Sequence, residues 1–451
     1  MQYMAFQAPV VAPALASGIT PYILDSLTGD IQSIPSGLSQ HHSESLIIMA
    51  APGWLIPVTA IFVLQTTTSF VGRLIPIIAP AASNEFGWSG SSIGYLTASY
   101  SLGGLAILAG GATMLKHVGG VRTVQLTLLL GVASMALFLQ PSIGLALLAC
   151  FIMGLSNGAA HPAGSEVLQR FSPPEKRNLI FSIKQAGVPL GGVIAGLAIP
   201  ALVLLTGWRT ALFACAILIV LPTLLTWRLS LRLDETRGVK PWHFTLPGLH
   251  SLRAFRAPLQ SLGHNPGLFR MSIVGSLFAI TQSCWFTFTV IYLIDKLEFS
   301  LGLAGAVFAV MQVGGVIGRV ALGWFSDYVH SATLSLSVAA ILSAVTTVLL
   351  GLSTPAWPLW AIVTLAFVAG SSAASWNGVQ IAEIARRSPP DQIPETAAGS
   401  SILINLINML VPAAFAAFVA FSGRYDYAFG LVGLCTLLVL AVLPRDRQAA
   451  K

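Results

Sequence analysis

Between Ala51 and Pro444 the chain is a succession of apolar stretches separated by short polar turns. Twelve can be drawn, at 53-80, 92-115, 122-140, 143-170, 178-206, 209-229, 269-294, 301-324, 331-352, 357-385, 396-421 and 427-444. A hydrocarbon layer about 30 Å thick takes roughly 20 helical residues to cross, and these runs are of that length. Backbone amides have no water partner there, so a spanning segment is a helix or part of a closed barrel. Unbroken apolarity, without strict alternation, selects helices. The pattern predicts an all-α integral membrane protein with twelve transmembrane helices.

The pattern is written twice. Ser101-Leu102-Gly103-Gly104-Leu105 leads into a loop at Lys116, and Gln312-Val313-Gly314-Gly315-Val316 leads into a loop at Asp327, both at an offset of 211. Glu166 and Arg170 recur as Glu383 and Arg387, offset by 217. This predicts two pseudo-symmetric six-helix bundles, 49-229 and 269-451, joined by a polar cytoplasmic linker, 230-268, with a short surface helix. Membrane proteins built from such repeats hold their substrate between the copies and rock one against the other. The repeat therefore predicts a transporter. Residues 1-48 contain no Lys or Arg and lack the basic start of a signal peptide. They read as a disordered cytoplasmic tail or as an extension upstream of a start at Met49.

Composition agrees: 55% of the 451 residues are hydrophobic and 9% charged, with a mean hydropathy of +0.80. The net charge of +7 invites a nucleic-acid reading. Placing the N-terminus inside, however, puts 18 of the 23 Lys and Arg on the cytoplasmic side, the bias of a plasma-membrane protein. Both termini are then cytoplasmic, the partner is the lipid bilayer, nucleic acid is excluded, and a monomer is expected. Cys150, Cys215, Cys284 and Cys435 lie in apolar runs without paired spacing and read as buried thiols. There is no phosphate-loop signature, so ATP is not the energy source. No cofactor or metal spacing is present. Gly90-Ser91-Ser92-Ile93-Gly94 matches a hydrolase elbow, yet no strand precedes it and Ser there caps a helix. An enzyme is not expected.

Twelve spans as six plus six, with Gly318-Arg319 and Gly323-Trp324-Phe325-Ser326-Asp327 before a turn, resemble the major facilitator superfamily. The motif looks like that family's G-x-x-x-D helix-loop signature in its second copy. The first copy is degraded, with Ala112 at its first glycine and Lys116 at its acidic position. Lys176-Arg177-Asn178-Leu179, Ala186 to Gly192 and Gly207-Trp208-Arg209 are locally similar to the fifth-helix region of monocarboxylate and organic-anion carriers of the superfamily. That branch carries an acid one turn before the arginine of the eighth helix, where this chain has Gly315. The branch's proton-coupling acid is therefore not carried over.

Arg73 is the leading candidate. It lies roughly 27 Å into the first span at 1.5 Å per residue, where a guanidinium is costly and functional by default. Its planar fork fits a carboxylate; the competing reading is that it snorkels to the headgroups. Arg319 in the eighth span reads as a gate or loop latch toward Asp327, or as a substrate contact implied by the resemblance. Lys184, about 9 Å inside the fifth span, reads first as a snorkelling lysine and second as a receiver of anion. Further cavity candidates are Tyr100, Asn157, His161, Gln185, Gln282, Trp285, Gln312, Trp376, Asn377, Asn405 and Asn408, each also serviceable as helix-helix glue. Glu166 with Arg170, and Glu383 with Arg387, read as gate struts at helix ends. Lys116 facing Asp391 and Glu395 is a reversed-polarity gate pair.

Cations outnumber acids in the spans, which favours an anion. The expected function is a secondary active transporter of a small organic anion, a monocarboxylate above all, by alternating access and open to proton coupling. Proton-coupled efflux of drugs or metabolites is the alternative.

Overall fold

The computed structural model describes residues 53-173, 177-234, 252-263, 265-389 and 392-444. Every regular element among them is a helix: α1 Leu55–Phe86, α2 Ser92–Val118, α3 Gly120–Phe138, α4 Ile143–Phe171, α5 Arg177–Thr206, α6 Trp208–Leu225, α7 Trp227–Leu233, α8 Leu252–Gly263, α9 Pro266–Asp295, α10 Leu301–Tyr328, α11 Ala332–Leu352, α12 Leu359–Ala373, α13 Asn377–Arg387, α14 Ile393–Ser422 and α15 Tyr425–Val442. Eleven stretches are long and apolar enough to cross a membrane, with α6 and α7 forming one, and α12 and α13 another. α2 contributes a shorter apolar stretch, Ser92–Leu108. The chain is a multi-pass membrane protein with the twelve-span order that its hydropathy predicts.

Three boundaries differ from the apolar pattern for physical reasons. The first span runs past Pro80 to Phe86, because Pro76 and Pro80 are absorbed within the helix. Its stop signal is Gly87, left-handed at φ 67°, whose N–H bonds the Ser83 carbonyl. The sixth span continues through a turn at Thr226 into α7. The tenth span is broken between Ala373 and Asn377, where the Ser375 hydroxyl bonds the carbonyls of Gly315 and Gly370. The linker's described helix, α8, packs its Pro258 carbonyl on Gly399 of α14.

The doubled glycine motif makes a seam in each half. A Cβ on Gly103 would strike the Phe151 carbonyl, and one on Gly154 the Tyr100 carbonyl. In the second half Gly314 meets Phe367 and Gly370 meets Met311 in the same way. Glycine lets the backbones of α2 and α4, and of α10 and α12, approach to contact. Between the halves α5 packs on α10, α2 on α14 and α1 on α9. At the end away from α8, the far end, Gly94 of α2 lies on Pro412 and Ala416 of α14, and Gly196 of α5 lies on Gly305 of α10.

Candidate functional site

Arg73 is held where the two halves meet. Its guanidinium lies 3.8 Å from the ring centroid of Phe286 on α9, a cation–π geometry whose value grows as water is excluded. Gly72 makes room for Tyr100 of α2, whose hydroxyl stands 2.9 Å from where a Cβ on Gly72 would sit. Arg73 Nε and Tyr100 Oη are buried and make no hydrogen bond to the described protein. The side chain has not snorkelled. It presents unused donors beside an aromatic face.

A second cationic tier lies nearer the linker end. Lys184 of α5 is 3% exposed, and its Nζ donates to the His161 carbonyl and the Ser165 Oγ of α4, each at 3.0 Å. Gly164 leaves room for its stem. The expected snorkel to the headgroups is not what forms: the ammonium turns inward to a helix backbone. Arg319 of α10 donates from Nη1 to the Gln185 carbonyl of α5 at 2.9 Å, and from Nε to the Ala374 carbonyl at 3.4 Å. The break in the tenth span leaves Ala374 at the C-terminal end of α12, which attracts a cation. Arg319 is thus turned to α5 and α12 rather than toward the exposed Asp327. His161 is exposed.

The remaining candidates divide. Asn157 stands by Gly104, 3.6 Å from where a Cβ there would lie, and Gln312 of α10 covers Gly192 of α5 with its Nε2 unbonded. Gln185 leaves its Oε1 unbonded as well. Trp285 is not brought to the site: its indole donates to Thr347 of α11 at 2.9 Å, inside the second half. Trp376 is fully buried, stacks on Phe278 at 5.4 Å and leaves its Nε1 unbonded. Its neighbour Asn377 keeps Oδ1 unbonded. Asn405 bonds its own helix at Ser401, and Gln282 and Asn408 are half-buried. An apolar groove of about 340 Å³ on α1, α5 and α6, lined by Phe62, Thr66, Leu190 and Ile194 among others, holds none of the cations.

At the helix ends, Glu383 is buried and ion-paired to Arg386 at 2.6 Å and Arg387 at 2.5 Å. Arg170 donates to the Leu233 carbonyl at 3.0 Å, and Glu166 is half-buried on α4. Glu395 is exposed, while the side chain of Lys116, and Asp391, lie outside the described residues. Sequence reasoning missed Asp234, whose carboxylate accepts from the N–H groups of Val121 at 3.3 Å and Arg122 at 3.0 Å. It caps α3 beside Gly119, which is at φ 99°. It also missed Phe286 and Ser165, since an apolar ring and a serine on a span carry no local signal. Glu85, at the far end, accepts from Trp208 at 2.5 Å and pairs with Arg209. No group of three or more metal-ligating side chains occurs among the described residues.

The family model for the Major Facilitator Superfamily matches residues 58–386. The chain belongs to this superfamily. It is similar to organic-anion carriers of that superfamily. It is 27% identical to the 4-hydroxybenzoate transporter PcaK of Pseudomonas aeruginosa over 55% of this chain and 61% of that one. With a gallate transporter of Pseudomonas putida it shares 26% over 62% and 67%. An uncharacterized MFS-type transporter of Mycobacterium tuberculosis is 25% identical over 66% of this chain and 64% of its own. The chain thus spans less than two thirds of the length of the first of these relatives. Among solved structures, the fold is shared with a POT family transporter in complex with 5-aminolevulinic acid at TM-score 0.69 and 11% identity, covering 86% and 95% of the two chains. It is shared with the nucleoside transporter NupG at 0.68 and 13%, covering 86% and 98%.

Proposed function

We propose that the protein is a secondary active transporter that moves a small organic anion, a carboxylate, across the plasma membrane by alternating access, with protons as the coupling ion. The observation that carries this is Arg73: a guanidinium at the meeting of the halves, laid on an aromatic ring, with Nε and the adjacent Tyr100 hydroxyl unused. Arg73 and Arg319 meet no carboxylate among the described residues, so the site's charge is complementary to an anion. The Phe286 ring suits a substrate that carries an aromatic or flat body behind its carboxylate, and the similarity to transporters of 4-hydroxybenzoate and gallate supports that class. The glycine contacts at the far end, together with the exposed side chain of His161, support a state open toward the linker end. With the basic helix ends inside, that end is cytoplasmic and substrate leaves toward it.

The test is uptake of radiolabelled carboxylates, 4-hydroxybenzoate and gallate included, into proteoliposomes with and without an inward proton gradient. Arg73→Gln is expected to abolish saturable uptake while leaving the protein folded. Uptake indifferent to Arg73 would overturn the reading and favour efflux of uncharged or cationic compounds.

A further inference from the structure

Lys184 has no task in that reading, yet it is a buried ammonium, 3% exposed. Its two bonds go to neutral oxygens, the His161 carbonyl and the Ser165 hydroxyl. No carboxylate pairs with it among the described residues. α1 offers Ile61 at Gly164; α4 offers His161 and, next to Ser165, the half-buried Glu166; α10 offers the cation Arg319, held on the next residue's carbonyl. Burying a charge without a counter-charge is costly, and this site collects three formal cations between the two halves. The two arginines keep their protons under all ordinary conditions. Lysine is the member of the three that releases its proton when buried.

We infer that Lys184 is the proton carrier of the transport cycle, a proposal that rests on the organic-anion reading above. When a carboxylate docks on Arg73, its negative charge enters the site and the Lys184 amine takes one proton from water on the side where binding occurs, becoming the ammonium bonded to His161 and Ser165. When the anion departs on the other side, the ammonium gives that proton to water there and returns to the neutral amine. One anion and one proton cross together, and the site never carries the full charge of three cations with nothing bound. Lys184 is a coupling residue and need not touch the substrate. This explains how a chain with Gly315 in place of a membrane acid couples to protons.

The experiment separates exchange from accumulation in proteoliposomes, using 4-hydroxybenzoate or whichever panel carboxylate the wild type takes up. Wild type is expected to exchange labelled for unlabelled substrate, and to accumulate it against a gradient by about tenfold per unit of imposed pH difference. Lys184→Gln and Lys184→Arg are expected to keep exchange and to lose proton-driven accumulation. In unbuffered solution, adding substrate to purified wild type should take up a proton, and adding it to Lys184→Arg should not. Accumulation retained by Lys184→Gln would overturn the assignment and leave the anion carrier standing. Loss of exchange in both variants would overturn it too, making Lys184 a binding residue. Wild type that exchanges no carboxylate would sink the carrier reading itself, and this proposal with it.

Discussion

Arg319 of the second half donates to the backbone carbonyl of Gln185 in the first, at 2.9 Å. A charged side chain of α10 is thereby fastened to α5, one residue from Lys184. Hydrogen bonds that involve a charged group contribute about 1.5 to 3 kcal/mol, so this one weighs on how the halves are disposed. Arg319→Gln, which is too short to span the gap in the same way, should loosen the α5 and α10 contact by roughly that amount. Hydrogen exchange of peptides from α5 and α10 in detergent is expected to quicken about tenfold or more. Unchanged exchange would show that the bond adds nothing to the packing around it.

The ring under Arg73 makes a separate claim. A cation–π contact in a site with little water contributes about 0.5 to 2 kcal/mol. Phe286→Leu keeps most of the apolar volume and removes the quadrupole, so it should raise the KM for carboxylate several-fold with kcat little changed. Trp285→Phe, its sequence neighbour, is the contrasting case. Its indole bonds Thr347 within the second half, so this change should lower thermal stability by about 1 kcal/mol and leave KM alone. Equal effects of the two substitutions on KM would contradict the placement of both.

The architecture was legible in the chain because lipid makes hydropathy nearly sufficient: the spans and the repeat need only counting. The site was legible in part, for an identifiable reason. Arg73 announces itself by its cost, and Glu383 with Arg387 by spacing. Phe286, Ser165 and Asp234 act through contacts 19 to more than 200 residues distant in sequence, and their own neighbourhoods are ordinary. Lys184 was misjudged in direction. Snorkelling depends on what surrounds the stem, and Gly164 with the α4 backbone offered a nearer partner than the headgroups.

Asp234 gives a pH prediction. It follows the sixth span and caps α3, and burial outweighs its two amide bonds and the nearby Arg122 and Arg170, holding its carboxyl above the ordinary aspartate value. The native carboxyl therefore binds its proton more readily than the unfolded one, whose ordinary value is 3.8. The associated stability is present below that value and is lost as pH rises through the raised native one. Asp234→Asn keeps an acceptor for the α3 amides without a charge to desolvate. Thermal unfolding in detergent should show the wild type losing stability relative to Asp234→Asn over the range of rising pH above 3.8. A difference that stays constant across this range would mean that the carboxyl titrates alike in both states.

Gly94 offers a way to move the whole equilibrium. A methyl group there would overlap the Pro412 carbonyl and the Ala416 side chain of α14. These atoms belong to a backbone and a short side chain, so relief requires α2 and α14 to separate at the far end. Forced overpacking at such a seam costs about 1 to 3 kcal/mol. That cost falls only on the state in which the seam is closed, so Gly94→Val should shift the population toward far-end opening by about five- to 150-fold. Hydrogen exchange at the start of α2 and in the second half of α14 should rise, while α3 and α11, away from the seam, stay protected. Equilibrium exchange of substrate should slow as the closed state becomes scarce. If α2 and α14 stay as protected as in the wild type and exchange keeps its rate, the seam is not a moving part, and alternation must turn on α5 and α10 alone.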